Sequence, residues 1–520
     1  MVPRKGFCRS PLNRKDDEVR KNEINERNQT NKIDEITRKT RVTSVPFLLK
    51  KSSKSSYICP LEMNSPSRKD QTINLTMGSL WSNIWHLSWP MLLIMIFNFF
   101  VGFTDIYVAG LINPEVQAAV GFIGQLYFLL IIIANAISIG TVALVSRSIG
   151  SGNFPKAIEN AKQSLIFGLL IAIGLTVGGL IFYREIIATA GFPVRIREIA
   201  ETFLRIFAFS LGPNYLLIIS NAVFRASGEV KKPLLTMFLV SAINIIGDFG
   251  LVFGIFPFPK MGYPGIALAT AISASIGMGI NLVFLSSHRW KLMYTTPWII
   301  SSVTIKRIAS LSWPAALLQI AWNAGTIVLY NILGRLGDAG ITALASITNG
   351  LRIEGIIFLP AFALNMAASV LVGQNLGAGK AERASKVGWD IALVGMVLLS
   401  MIASVIFIWA PFFASILAKE PTVLEETTRY LRINMVSEPF MALSLSLAGG
   451  LQGAGDTKGT MWVIIIGMWF IRLPLAFLFA LILGYGATGV WIAMVTSMIF
   501  QGILMAERFH RGRWKGLKVG

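Results

Sequence analysis

Leu87-Ser88-Trp89-Pro90 and Leu311-Ser312-Trp313-Pro314 are the same four residues written twice, 224 positions apart, and each opens a long apolar run. Further echoes follow in order. Gly150-Ser151-Gly152-Asn153 is answered by Gly377-Ala378-Gly379-Lys380, and Arg225-Ala226-Ser227-Gly228-Glu229 by Gln452-Gly453-Ala454-Gly455-Asp456. Gly262-Tyr263-Pro264-Gly265 returns as Gly484-Tyr485-Gly486 with Gly489. The offset is 224, then 227 twice, then 224 again from Gly265 to Gly489, which short length changes in the connections explain. A chain that repeats half of itself in this way, with membrane-length apolar runs in each half, has the organisation of a secondary transporter.

Composition agrees. Of 520 residues, 54% are hydrophobic and 14% are charged, whereas soluble domains carry about a quarter charged residues. The apolar runs predict twelve spans, at about 84–108, 117–145, 160–183, 198–224, 232–256, 264–286, 307–333, 341–372, 384–410, 425–450, 459–483 and 487–506. The expected fold is an all-α polytopic membrane protein of two six-helix lobes around a central cleft. Six spans is an even number, so both halves enter from the same side and the repeat is parallel. The expected divisions are a polar extension at 1–76, an N-terminal lobe with linker at 77–300, and a C-terminal lobe with basic tail at 301–520.

The extension holds 17 Lys/Arg and 9 Asp/Glu and has no long apolar run, so it reads as a disordered segment or a start set too early, with Met63 and Met77 as later starts. The net charge of +20 does not point to nucleic acid. Beyond the extension, the connections on the side of the first span's start hold 19 Lys/Arg, counting adjoining span ends, against 7 on the other side. That bias places both termini in the cytoplasm, in a plasma or inner membrane. Both cysteines, Cys8 and Cys59, fall in the extension, and His86, His288 and His510 are scattered. Neither type offers a metal cluster, and no HExxH or hydrolase triad is seen, so no enzyme is expected. Gly373–Lys380 lacks the spacing of a phosphate loop, which leaves an ion gradient as the energy source.

Charges inside spans are costly and mark function. They are Asp105, Asp248, Glu354, Glu438, Arg205, Arg352, Arg432 and Arg472. At about 1.5 Å per residue, Asp105 lies about 30 Å and Asp248 about 24 Å from the first-span side. Asn244 shares a helix face with Asp248, and Thr270 falls at similar depth on the sixth span. These four oxygen-bearing residues suit a coupling cation, either Na⁺ held by oxygens or a proton on a desolvated carboxylate. Tyr127, Trp322, Asn323, Glu354 and Glu438, with Phe128, Phe358 and Met366, are candidates for the substrate cleft, where aromatic faces suit flat organic cations. Glu438 precedes Pro439, a place for a broken helix, and Arg472 is positioned in sequence to neutralise Glu438 or Glu354.

The motifs together resemble the MATE family of multidrug and toxic compound extrusion antiporters. The resemblance covers about 80–506. It rests on Trp89-Pro90, on Phe103-Thr104-Asp105-Ile106-Tyr107-Val108-Ala109-Gly110, on Arg147–Asn153 with Gln374–Gly379, on Phe224–Gly228 through Pro233, on Asn244-Ile245-Ile246-Gly247-Asp248, and on Leu451–Thr457. It implies two lobes that alternate between outward-open and inward-open states, with Na⁺ or H⁺ inflow driving export. In DinF-like members the N-lobe ion site maps onto Asp105, Asn244, Asp248 and Thr270. NorM-like members carry a Glu on the seventh span and an Asp on the tenth; here Gln319 or Asn323 and Met441 stand there, so the DinF-like branch is the expected one. No cofactor besides the coupling ion is implied. The expected partners are small organic substrates and the bilayer, with the chain a monomer. The rival expectations are a flippase of lipid-linked precursors, which calls for more cationic residues in the cleft, a major-facilitator transporter, whose charged motif after the second span is missing, and, in a different class, a membrane sensor, which calls for a folded soluble domain, or an intramembrane enzyme, which calls for clustered His, Cys or Asp.

Overall fold

The computed structural model describes residues 75–188, 193–286 and 288–517, all of them in helices and their connections. Apart from Leu75 and Thr76, the expected extension lies outside the described residues. The first half comprises α1 (Leu80–Ile112), α2 (Pro114–Gly150), α3 (Phe154–Ala188), α4 (Val194–Ser227), α5 (Lys231–Phe253) and α6 (Pro264–Leu285). The second comprises α7 (Ser302–Gly334), α8 (Asp338–Gly377), α9 (Ala381–Ile408), α10 in two pieces (Pro421–Asn434 and Glu438–Gly453), α11 (Thr457–Ile465, continuing to Ile482) and α12 (Gly486–His510). Eleven of these helices are long and apolar enough to span a membrane. The twelfth expected span is α10, interrupted by a tight turn at Met435–Ser437.

Local chemistry sets the boundaries. Asn113 caps α2 through its Oδ1, which accepts from the Val116 N–H at 2.7 Å, and Pro114 fills the first turn, where no N–H is needed. Gly228 ends α4 at φ +82°, a left-handed conformation that glycine adopts without strain. The break in α10 follows from Pro439, which has no N–H to return to Met435; the Glu438 N–H takes that carbonyl in a tighter turn instead. Around Pro474 the turns of α11 widen at Ile466–Arg472 and again at Leu478–Ile482.

The repeated phrase lands at the joint between the halves. Ile84 and Leu87 of α1 and Ile308 and Leu311 of α7 occupy one shared core with Ala363, Leu364, Ala367 and Leu371 of α8. This core lies at the end of the bundle where α1 begins. Toward the opposite end each lobe packs on itself: Val108, Ile123, Phe203 and Ile266 in one, Leu329, Ile353, Tyr430 and Trp491 in the other. The halves therefore meet at the terminal end and hold separate cores at the far end.

The connection between the halves is docked at Thr296, Ile299 and Ser301. Buried Lys162 of α3 donates to the Thr296 carbonyl at 2.8 Å, and Gln163 donates to the Ile299 carbonyl at 2.7 Å while accepting from the Ser301 N–H at 3.0 Å. Unpaired carbonyls of an extended strand and a lysine that would otherwise be buried alone satisfy each other. The first lobe also reaches back before Met77: Leu75 is fully buried, its Cδ1 only 3.0 Å from where a side chain on Gly228 would begin.

Candidate functional site

Glycines bring α5 and α6 together. A Cβ on Gly247 would lie 3.0 Å from the Ala269 Cβ, and one on Gly265 2.9 Å from the Leu251 backbone. Such close packing of small residues is how membrane helices approach. It sets Asn244 of α5 opposite Thr270 of α6, with the Asn244 amide donating to Thr270 Oγ1 at 3.2 Å. Asp105 of α1 joins them. It accepts from the Thr270 hydroxyl at 3.3 Å and from the Asn244 amide at 3.4 Å. Asp248, one turn beyond Asn244, presents its carboxyl to that of Asp105, close enough for a bond once one of them carries a proton. The four residues expected to bind a coupling ion are thus brought to one place, inside the first lobe.

Asn244 and Asp248 are fully buried. Yet the Asn244 Oδ1 and both Asp248 oxygens have no hydrogen-bond donor. Buried oxygens without donors are rare and costly in folded proteins. The cluster is rich in acceptors and short of positive charge, which suits a proton or a hard cation.

The expected cleft residues fall elsewhere. Tyr127 is half-buried in the first lobe, its hydroxyl 3.0 Å from Ser210 Oγ and accepting from the Asn214 amide at 2.8 Å. Asn323 donates to the Gln319 carbonyl of its own helix. Trp322 lies beneath Arg472, whose guanidinium sits 5.0 Å from the ring centre. Glu354 and Glu438 are 5% and 3% exposed, inside the second lobe rather than on an open wall. Arg352 is exposed, whereas Glu354 is buried. One feature the sequence reading passed over is a ladder on α1. Phe99, Phe103 and Tyr107 stack at 6.0 and 6.2 Å, and all three are exposed. The i, i+4 spacing of the aromatics was the available signal.

Comparison with known proteins agrees with this architecture. The MatE family model matches residues 90–249 and 314–478, one match in each half. A "Probable multidrug resistance protein NorM" of Thermotoga maritima is 28% identical over 425 residues, covering 80% of this chain and 89% of that protein. An "FAD transporter" of Shewanella oneidensis is 23% identical, covering 77% and 87%. Among solved structures, a MATE protein in the bent conformation has TM-score 0.76 at 20% identity, covering 84% of this chain and 97% of its own. An outward-facing MATE transporter of the MOP superfamily has the same score and identity, covering 85% and 99%. With the family model matched in both halves and the twelve-span fold in common, this chain belongs to the MATE family of membrane transporters.

Proposed function

We propose that the protein is a cation-coupled antiporter that exports organic, cationic and amphipathic compounds. The observation that carries this reading is the cluster of Asp105, Asn244, Asp248 and Thr270, with three buried oxygens that no donor satisfies. The NorM relative supports multidrug cargo. The excess of Lys/Arg at the terminal end supports its placement in the cytoplasm, so the conformation described is closed inward.

α1 joins the two functions mechanically. Its first half carries Ile84 and Leu87 into the shared core, and its second half carries Asp105 to the ion cluster. Pro90 lies between them and removes one helical hydrogen bond. A cation or proton arriving at Asp105 and Asp248 removes the repulsion between the carboxyls and changes how α1 sits on α5 and α6. That change biases the contact with the second lobe, provided the ion binds one state more tightly than the other. The residues fit either H⁺ or Na⁺ as the coupling cargo.

The test is ethidium efflux from cells or everted vesicles carrying the full chain, under an imposed Na⁺ or pH gradient. Efflux driven by one of the two gradients names the ion. Asp105→Asn and Asp248→Asn, present in the membrane at normal levels, are each expected to slow efflux at least about tenfold, the loss of about 1.4 kcal/mol of coupling. Unchanged efflux in both variants sinks the site assignment. Uptake of FAD with no transport of any organic cation replaces the cargo class.

A further inference from the structure

The two ends of the described chain are each folded onto their own lobe. Ahead of α1, Leu75 is 1% exposed and packs at Gly228, the residue that ends α4. Asn83 of α1 donates to the Leu75 carbonyl at 3.2 Å and to the Met77 carbonyl at 3.0 Å, which turns this segment back over the start of its own helix. Beyond α12, Trp514 is also 1% exposed. It stacks on Phe509 with ring centres 4.6 Å apart, and its indole N–H donates to the Phe509 carbonyl at 2.8 Å. Lys515 pairs with Glu382 of α9 at 2.9 Å. The first end is thus anchored on the N-terminal lobe and the second on the C-terminal lobe.

Each end is also gripped by the opposite lobe. Lys380, just ahead of α9, donates to the Thr76 carbonyl at 2.9 Å. Arg383 of α9 donates from Nη2 to the Met77 carbonyl at 3.1 Å and to the Gly78 carbonyl at 2.9 Å. In the other direction, Arg147 of α2 donates from Nη1 to the Leu517 carbonyl at 2.5 Å. Gln374, which answers Arg147 in the repeat, also reaches across, donating to the Ala226 carbonyl at 2.7 Å. Thr76, Met77, Gly78 and Leu517 all lie outside helices, so their carbonyls have no helical N–H and need another donor. The donors that meet them are all charged, and hydrogen bonds from charged donors are roughly twice as strong as neutral ones.

We propose that residues 75–78 and 513–517 are a pair of crossed clasps that hold the terminal end of the bundle shut, with Lys380, Arg383 and Arg147 setting how often the lobes part there. The anchors Leu75 and Trp514 stay with their own lobes, so parting the lobes must break the bonds from Lys380, Arg383 and Arg147. Such bonds are lost once donor and acceptor separate beyond about 3.5 Å, so a small opening releases all of them together. The packing inside each lobe does not use them, and their loss shifts the balance between closed and open states rather than the fold. Leu75 and Thr76, which precede Met77, become working parts of the transporter. The inference rests on the parting lobes of the proposed antiport, but on neither its ion nor its cargo.

The experiment is a spin-label distance measurement on the full-length protein in lipid nanodiscs, with Cys8 and Cys59 replaced by serine and labels at Lys156 of α3 and Lys386 of α9. Lys380→Ala combined with Arg383→Ala, and separately Arg147→Ala, should each raise the ratio of long-distance to short-distance populations at least about fivefold, with the melting temperature unchanged. Lys380→Arg combined with Arg383→Lys, which keeps charged donors at both positions, should return the distribution toward the native one. Native distances in both alanine variants overturn the proposal. So does a longer distance that comes only with a lowered melting temperature in both, the result expected of bonds that merely hold the fold. Ethidium efflux measured on the same proteins keeps the two readings apart: efflux that ignores both gradients removes the antiport, whereas the label distances judge the clasps by themselves.

Discussion

Gly377→Ala and Gly150→Ala should each hold the transporter away from its closed terminal end and cut export by about 5- to 150-fold. These glycines are the last residues of α8 and α2. They contact each other's helices reciprocally: a Cβ on Gly150 would fall 2.0 Å from the Gln374 carbonyl oxygen, and one on Gly377 2.1 Å from the Arg147 carbonyl oxygen. Positions 147 and 150 answer 374 and 377 at the repeat offset, so the contact has the pseudo-two-fold symmetry of the duplicated chain. No rotamer relieves an overlap between a methyl group and a backbone oxygen, and the helix ends must part. Overpacking typically costs about 1–3 kcal/mol, which as a bias between two states is about 5- to 150-fold. The fold of each lobe is untouched, because the clash exists only where the lobes meet. Spin labels at Lys156 and Lys386 should report a longer distance population in either variant. Gly174→Ala, on α3 with open space around the added Cβ, is the control. Native label distances and native efflux in both variants would falsify the gate.

Much of the fold was legible because membrane residence constrains sequence so strongly. Apolar length announces spans, and the recurring Leu-Ser-Trp-Pro phrase announces that the halves are copies. That these residues come together was legible for a related reason: Asp105 and Asp248 are expensive inside a span, and Asn244 sits one turn from Asp248. The interruption of α10 was readable from Glu438-Pro439. Long-range pairings were not. Trp322 belongs to the candidate cleft by residue type, but Arg472, 150 residues later, covers it. Lys162 gave no sign in sequence of clasping the connection between the lobes, since its acceptors are backbone carbonyls, which carry no residue identity. Gly150 and Gly377 were visible as matching motifs, yet what they do depends on which backbone oxygen lies within 2.1 Å of where a side chain would begin, and that is set by the packing of two whole lobes.

Asp248→Asn is expected to raise thermal stability while abolishing coupled transport. In the native chain both Asp248 oxygens are buried without a donor and face the carboxyl of Asp105. An asparagine of nearly the same shape brings an amide that can donate to Asp105. A hydrogen bond to a charged group is worth about 1.5–3 kcal/mol, and the facing acceptors are no longer opposed. Melting followed by tryptophan fluorescence in detergent, with N-methylglucamine as the only buffer cation, should show the variant unfolding at higher temperature than the native chain. Adding the coupling ion, as Na⁺ or by lowering the pH, should stabilise the native protein toward the variant and leave the variant where it was, because a ligand stabilises only the form that binds it. A residue kept for the fold behaves in the opposite way: its replacement lowers the melting temperature with or without the ion. The sign of that shift separates an acid held at a cost for transport from one that merely fills its place between α1, α5 and α6, which is the stability–activity trade-off of a working site.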